Sequence, residues 1–145
     1  MIHTHKELIV WQKGIQLVTL VYQLSAKFSR EEVYGLTSQI RRCAVSMPSN
    51  IAEGRCRGTK KDFLHFLRIA YGSSAELETQ LEIAKQLSFL NEFDYNKAMP
   101  LVNEMMRMLR AMIQKLNPSV ASRASLQTSE ASEASEASNE ATPAL

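Results

Sequence analysis

The chain has 145 residues, of which 45% are hydrophobic and 22% charged, and its formal net charge is +2. This composition is typical of one soluble globular domain. No apolar run approaches the roughly 18 residues that a membrane span needs. The first residues, "MIHTHKELIVWQ", lack the charged, apolar and small-residue regions of a signal peptide. The sequence therefore predicts a chain that neither spans nor binds a membrane.

The two cysteines, Cys43 and Cys56, lack CxxC and zinc-finger spacing. They are interpreted as reduced, structural thiols rather than reactive or metal-ligating ones. Reduced thiols are typical of the cytoplasm, which is the predicted location.

The first predicted helix, over residues 5–28, has two apolar stripes. Its stripes, at helical spacing, are Leu8, Trp11, Ile15, Val18 and Tyr22, and Val10, Leu17, Val21, Leu24 and Phe28. Together they form an apolar face wider than the seam of a coiled coil. A face of this width is consistent with self-association, but the core of a monomeric bundle also uses wide apolar faces.

The second predicted helix begins at Leu36 and contains Pro48. Proline inside a helix removes a hydrogen bond and clashes with the preceding turn, at about 3 kcal/mol. Ser49 and Asn50 offer polar side chains to the freed backbone. The sequence predicts a kinked helix that continues to Gly54 as its C-cap, followed by the turn "RCRG".

The third and fourth predicted helices begin at capping residues. Thr59 and Asp62 resemble a capping box before the third helix, and Asn91 caps the fourth. Their predicted core positions are Phe63, Leu67, Ala70, Ser74, Leu77, Leu81 and Ala84, and Val102, Met106, Leu109, Ile113 and Leu116. Four helices with short links predict an all-α fold, an up-down-up-down antiparallel four-helix bundle over residues 1–118.

Residues 119–145 differ from the rest of the chain. They repeat Ser-Glu-Ala and carry Arg123 against four glutamates, so their net charge is −3. With almost no large apolar residue they cannot offset the entropy of ordering. They are predicted to be a disordered acidic tail, interpreted as a solvating extension rather than a competitor of acidic ligands for the basic segment, residues 41–68.

The sequence lacks the residues that several kinds of catalytic, metal or phosphate-binding site require. A di-iron site in a bundle needs two Glu-x-x-His motifs, and Asp62-x-x-His65 is the nearest approach. Nucleophilic catalysis needs a base beside a serine or cysteine, which this pattern does not offer. Neither GxxxxGK[ST] nor GxGxxG is present. The sequence therefore predicts a protein that is not an enzyme and holds no cofactor or metal.

The basic segment, residues 41–68, carries the excess positive charge of the chain and surrounds the predicted turn. Backbone N–H groups and the helix dipole at a helix N-terminus also favour anions. The candidate nucleic-acid-binding residues are Arg55, Arg57, Lys60, Lys61 and Arg68. From charge alone, phosphate binding and a merely solvated basic turn are equally supported.

A second set is interpreted as structural or as part of a subunit interface. Val45 points away from the core between Arg41 and Arg42. Glu76 interrupts an apolar stripe, so it is expected to be half-buried and paired with one of these arginines. The full set is Arg41, Arg42, Val45, Pro48, Ser49, Asn50, Glu53 and Glu76.

Three blocks carry a family resemblance. They read "LxVWQKxxxLVxxVY" from Leu8, "YGLxxQIRRxAVSxPSNIAEG" from Tyr34 and "FLxFLxIAxGSxxELETQLxIAxxL" from Phe63. The chain resembles the four-helix-bundle family encoded by intervening sequences in bacterial 23S rRNA genes. That family is similar to the accessory protein of diversity-generating retroelements, a binder of nucleic acid and a reverse transcriptase. The resemblance implies a homopentameric barrel with a basic surface.

We therefore expect a non-enzymatic, cytoplasmic homo-oligomer that acts as an adaptor binding RNA or DNA through its backbone. The alternative is a protein–protein interaction scaffold in which the basic residues serve assembly alone. The two hypotheses differ in salt response, because phosphate contacts weaken steeply as salt rises.

Overall fold

The computed structural model describes residues 4–117, and these contain four α-helices and no strand. The helices are α1 (Ile9–Ser25), α2 (Leu36–Cys56), α3 (Lys60–Gln86) and α4 (Glu92–Leu116), with 3₁₀ turns at His5–Glu7 and Arg30–Glu32. This confirms the predicted all-α four-helix bundle. The predicted domain boundary at 118 and the acidic tail lie outside the described residues. Contacts within the chain define two units, Met1–Ile113 and Gln114–Leu145. The helix packing described here is that of the first unit.

Side-chain contacts show that neighbouring helices run antiparallel. Between α1 and α2, the Arg41 Nε donates to Ser25 Oγ at 2.8 Å, whereas a Cβ on Gly14 would lie 3.2 Å from Pro48 Cβ. Lys13 of α1 pairs with Glu104 of α4, and Lys27, just after the end of α1, pairs with Asp94 near the start of α4. Between α2 and α3, the Cys43 thiol donates to the Ser73 carbonyl, and Gly54 faces Phe66. One end of the bundle therefore collects the start of α1, the end of α2 and the start of α3.

The core is built from one face of each helix. The second apolar stripe of α1 is buried, and so are the predicted core positions of α3 from Leu67 to Ala84. In α4 the structure buries Met105, while Met106, which the sequence pattern placed in the core, is half-buried. Apart from Leu8, which is buried, the other stripe stays near the surface, with Ile15 42% and Tyr22 44% exposed. One wide apolar face thus divides into a core half and a surface half.

Helix α2 runs unbroken through Pro48. The Asn50 side chain donates to the Ser46 carbonyl at 2.7 Å, as expected for a polar neighbour that satisfies backbone near the proline. The proline is buried against Gly14 of α1. Tertiary packing therefore compensates for a residue that would weaken an isolated helix.

The prediction that Gly54 caps α2 is wrong. The helix continues to Cys56, Arg57 is its C-cap, and Gly58 takes the positive φ of +82° that a helix-ending glycine commonly adopts. Gly54 is instead buried, and a Cβ there would lie 2.6 Å from Phe66 Cβ. Its role is to let α2 and α3 approach closely.

The predicted N-caps of α3 and α4 are confirmed. The Thr59 hydroxyl accepts from the Asp62 N–H at 3.1 Å and donates to the Asp62 carboxylate at 2.9 Å. The Asn91 side chain accepts from the Asp94 N–H at 2.8 Å. These caps fix the positions at which α3 and α4 begin.

Candidate nucleic-acid interface

The turn between α2 and α3 presents the predicted basic residues. It consists of Arg57, Gly58 and Thr59, and Lys60 and Lys61 open α3. Arg57, Lys60 and Lys61 are exposed, and Arg68 is exposed further along α3. Arg55 is half-buried in the last turn of α2. The structure therefore gathers three of the five predicted side chains at one exposed turn, with Arg55 in the helical turn before it and Arg68 about two turns into α3.

Arg57 is held in place by two neighbours. Its Nη2 lies 2.8 Å from Glu53 Oε1, and its guanidinium carbon lies 5.1 Å from the centroid of the Phe66 ring. The hydrogen bond to Glu53, followed by the charge of that carboxylate, raises the pKa of Arg57. Glu53, predicted as a structural residue, thus orients a candidate phosphate contact.

The tertiary structure adds basic residues that the linear sequence separates. The basic end comprises residues 4–16, 47–73 and 104–113, which share one half of the bundle. It holds nine lysines and arginines against four carboxylates, whereas the opposite half, residues 17–46 and 74–103, holds six against seven. The exposed residues Lys6, Arg107 and Arg110 join the basic end through the antiparallel packing of α1 and α4. These three were not predicted from the sequence because each stands far from the basic segment along the chain.

The arginine groove lies between α1 and α2, toward the opposite half. Its volume is about 540 Å³, and Tyr22, Val33, Arg41, Arg42 and Val45 line it. Val45 is 38% exposed, as the helical wheel predicts. Arg41 stacks on the Tyr22 ring at 4.6 Å and donates to the Tyr22 carbonyl and the Ser25 hydroxyl. Arg42 donates to the Ser38 hydroxyl at 3.2 Å.

The expected pairing of Glu76 with Arg41 or Arg42 is wrong. Glu76 is exposed and accepts a hydrogen bond from Gln80 at 3.2 Å. Among residues 4–117, no carboxylate lies within ion-pair distance of either arginine. The sequence pattern predicted Glu76 to be half-buried, but the structure leaves it exposed and buries Gln80, one turn further along α3.

An acidic patch lies on the α3–α4 side of the bundle. Glu78, Glu82, Ile83, Tyr95 and Met99 line a groove of about 420 Å³. Hydrogen bonds from Gln86 and then from the Tyr95 hydroxyl lower the pKa of Glu82. Because Ile83 is 44% exposed, this patch combines negative charge with apolar surface.

The described residues contain no group of three or more histidine, cysteine, aspartate or glutamate side chains that could hold a metal ion. In the same part of the chain, no helix is both long and apolar enough to cross a membrane.

These features define a class of protein: a four-helix bundle with a basic end and separate basic and acidic side grooves. The chain belongs to the 23S rRNA-intervening sequence protein family, whose model matches residues 6–111. The resemblance based on the three sequence blocks is thereby confirmed.

A solved structure shares the fold. It is the crystal structure at 1.70 Å of a protein of unknown function from the S23 ribosomal protein family of Bacteroides thetaiotaomicron. The two chains are 21% identical, the match covers 73% of this chain and 99% of the other, and the TM-score is 0.69. At this identity the likeness concerns the fold alone. A comparison with curated proteins gives no significant match.

Proposed function

We propose that this protein is a non-enzymatic, cytoplasmic homo-oligomer that binds the phosphate backbone of RNA or DNA through its basic end. The observation that carries the proposal is the charge separation along the bundle, with a net +5 on the basic end and −1 on the opposite half. A concentrated field of this kind attracts polyanions and steers their encounter. The location is supported by two free cysteines, Cys43 and Cys56.

The exposed turn supplies the chemistry for such contacts. Arg57 offers a planar guanidinium, whereas Lys60 and Lys61 offer mobile point charges at the N-terminus of a 27-residue helix. Contacts from such groups to phosphates and sugars carry no sequence information. The proposed binding is therefore tolerant of sequence.

The proposed assembly is supported by two complementary surfaces. The arginine groove carries two guanidiniums whose described partners are neutral, and the acidic patch carries Glu78 and Glu82 beside exposed apolar side chains. They lie on different sides of the same bundle, so a contact between them is head-to-tail and closes into a ring when the rotation permits. Five copies is the number that the family resemblance implies. A ring would present several basic ends to one nucleic acid and raise avidity.

Charge reversal tests this assembly. Arg42→Glu alone and Glu78→Arg alone should each place like charges at the contact and shift the protein toward monomer. The double variant should restore the oligomer, because the charges are then exchanged across the same contact. Light scattering coupled to size-exclusion chromatography gives the mass. Failure of the double variant to recover the wild-type mass would contradict the head-to-tail contact.

The alternative function is a protein-interaction scaffold without a nucleic-acid role, and the same complementary grooves support it. Fluorescence anisotropy with a labelled structured rRNA fragment distinguishes the two. An adaptor loses affinity steeply as salt rises, because it displaces counterions from phosphates. Weak binding that salt barely affects would refute the adaptor and favour the scaffold.

A further inference from the structure

A second groove between α1 and α2 lies mainly within the basic end and shares Val45 with the arginine groove. This tryptophan groove is lined by His5, Trp11, Ile15, Val18, Pro48 and Ala52, and its volume is about 320 Å³. That volume is within the roughly 300–1,000 Å³ range of small-ligand sites. Its walls are formed by the surface stripe of α1 and by the α2 turn that contains Pro48. Both walls are therefore rigid helical elements.

Two aromatic rings stand at the end of the groove where α2 finishes. The rings of His5 and Trp11 meet edge to face, with centroids 5.3 Å apart and planes at 70°. The Cys56 Sγ lies 3.5 Å from His5 Nδ1, and the Gln12 amide donates to the Lys6 carbonyl at 2.9 Å. These contacts tie the 3₁₀ turn to both α1 and α2, so the aromatic pair is positioned before any ligand arrives.

Exposed positive side chains of the basic end stand directly beside the groove. His5 is followed by Lys6, and its partner Cys56 is followed by Arg57. Both basic residues are exposed. A nucleotide whose phosphate lies on these charges has an apolar, aromatic groove beside it. The surface thus combines the two elements of single-strand recognition, a positive track and an aromatic stacking platform.

We propose that the tryptophan groove receives an unpaired nucleobase, so that the preferred ligand is single-stranded nucleic acid or the loop of a structured one. This inference rests on the proposed function and names its ligand class. A base buried in a duplex cannot enter the groove, because its faces are covered by its neighbours. Single strands should therefore bind more tightly than duplexes of the same length, although duplexes carry more phosphates.

Charge favours a nucleic acid over a second copy as the occupant. The groove opens beside positive side chains, so an occupant that brings phosphates gains from them. A second copy could supply negative charge only from its acidic patch, and that patch is already complementary to Arg41 and Arg42 of the arginine groove. A flat aromatic base linked to a phosphate matches both the apolar lining and the neighbouring charge.

The test uses the full chain and its single tryptophan, Trp11. A labelled RNA strand of about 12 nucleotides, within the site sizes of known single-strand binders, is compared with its blunt-ended duplex. Anisotropy reports binding of each RNA, and the emission of Trp11 reports occupation of the groove. The expected result is tighter binding of the single strand, accompanied by a change in tryptophan emission that the duplex does not produce.

Two substitutions separate stacking from folding. Trp11→Leu keeps apolar volume but removes the aromatic face, and it should weaken single-strand binding roughly 5- to 150-fold. Trp11→Phe keeps an aromatic face and should retain most of the affinity. Circular dichroism and the melting temperature show whether each variant is folded. The change in Trp11 emission of the wild-type protein tests occupation of the groove independently of any variant.

The other outcomes overturn the inference. Equal binding of strand and duplex without a change in tryptophan emission would leave phosphate contacts as the whole interaction, and the proposed function would stand alone. An emission change on raising protein concentration without RNA would assign the groove to a second copy. Absence of binding by either RNA would refute the proposed function and this inference together.

Discussion

The basic turn gives the most direct prediction about binding. In a triple variant, Arg57, Lys60 and Lys61 are replaced by glutamine, which removes three exposed charges and leaves Arg55 and Arg68. Because Thr59 and Asp62 still cap α3, the helix should remain intact. The variant therefore tests charge and spares the fold.

The expected change in the salt dependence of RNA affinity follows from counterion release. If each of the five basic residues contacts one phosphate of a single strand, the slope of log K against log salt is about −3.5. A fourfold increase in salt then weakens binding by about 130-fold. With two contacts left, the slope falls to about −1.4, and the same increase weakens binding by about 7-fold. Anisotropy titrations of labelled RNA at several salt concentrations measure both slopes.

A control variant removes the same number of charges from the opposite half. Arg30, Lys85 and Lys97 are replaced by glutamine, which changes the net charge equally but leaves the basic end untouched. Its salt slope should match that of the wild type. Equal slopes in all three proteins would refute the basic end as the binding surface, and equal losses in both variants would mean that only total charge matters.

Further predictions concern the fold and the buried thiol. Gly54→Ala should destabilise the protein by about 1–3 kcal/mol in urea unfolding, because the new Cβ meets Phe66. Gly72→Ala, with nothing within 4 Å of its Cβ, should stabilise α3 by about 0.5–1 kcal/mol, and a loss instead would contradict the packing. Burial, then the charge of Glu76, raises the pKa of Cys43 from 9.0 to about 12. The unfolded chain therefore loses this proton first, and stability falls between pH 9 and 12. The melting temperature of Cys43→Ala should therefore fall less than that of the wild type over this pH range. Equal falls in the two proteins would contradict this role of Cys43.

The sequence alone determined the elements of this fold. Four apolar patterns of helical period, the caps Thr59 and Asn91, and the short links predicted the bundle, because local periodicity and capping decide where helices form. The continuity of α2 through Pro48 was also predicted, since polar neighbours and a sustained apolar stripe outweigh one proline. The cluster from Arg55 to Arg68 was visible because its members are close along the chain.

The tertiary structure decided which groups meet. Gly54 matched a C-cap in the sequence but serves close helix packing, because only the position of Phe66 shows what a Cβ would strike. Glu76 was assigned a partner that it does not contact, since a helical wheel gives an angle and no distance. Lys6, Arg107 and Arg110 join the basic end, and His5 reaches Cys56, through antiparallel packing. Contacts between residues distant in sequence depend on how helices pack, and periodicity within one helix does not contain that information.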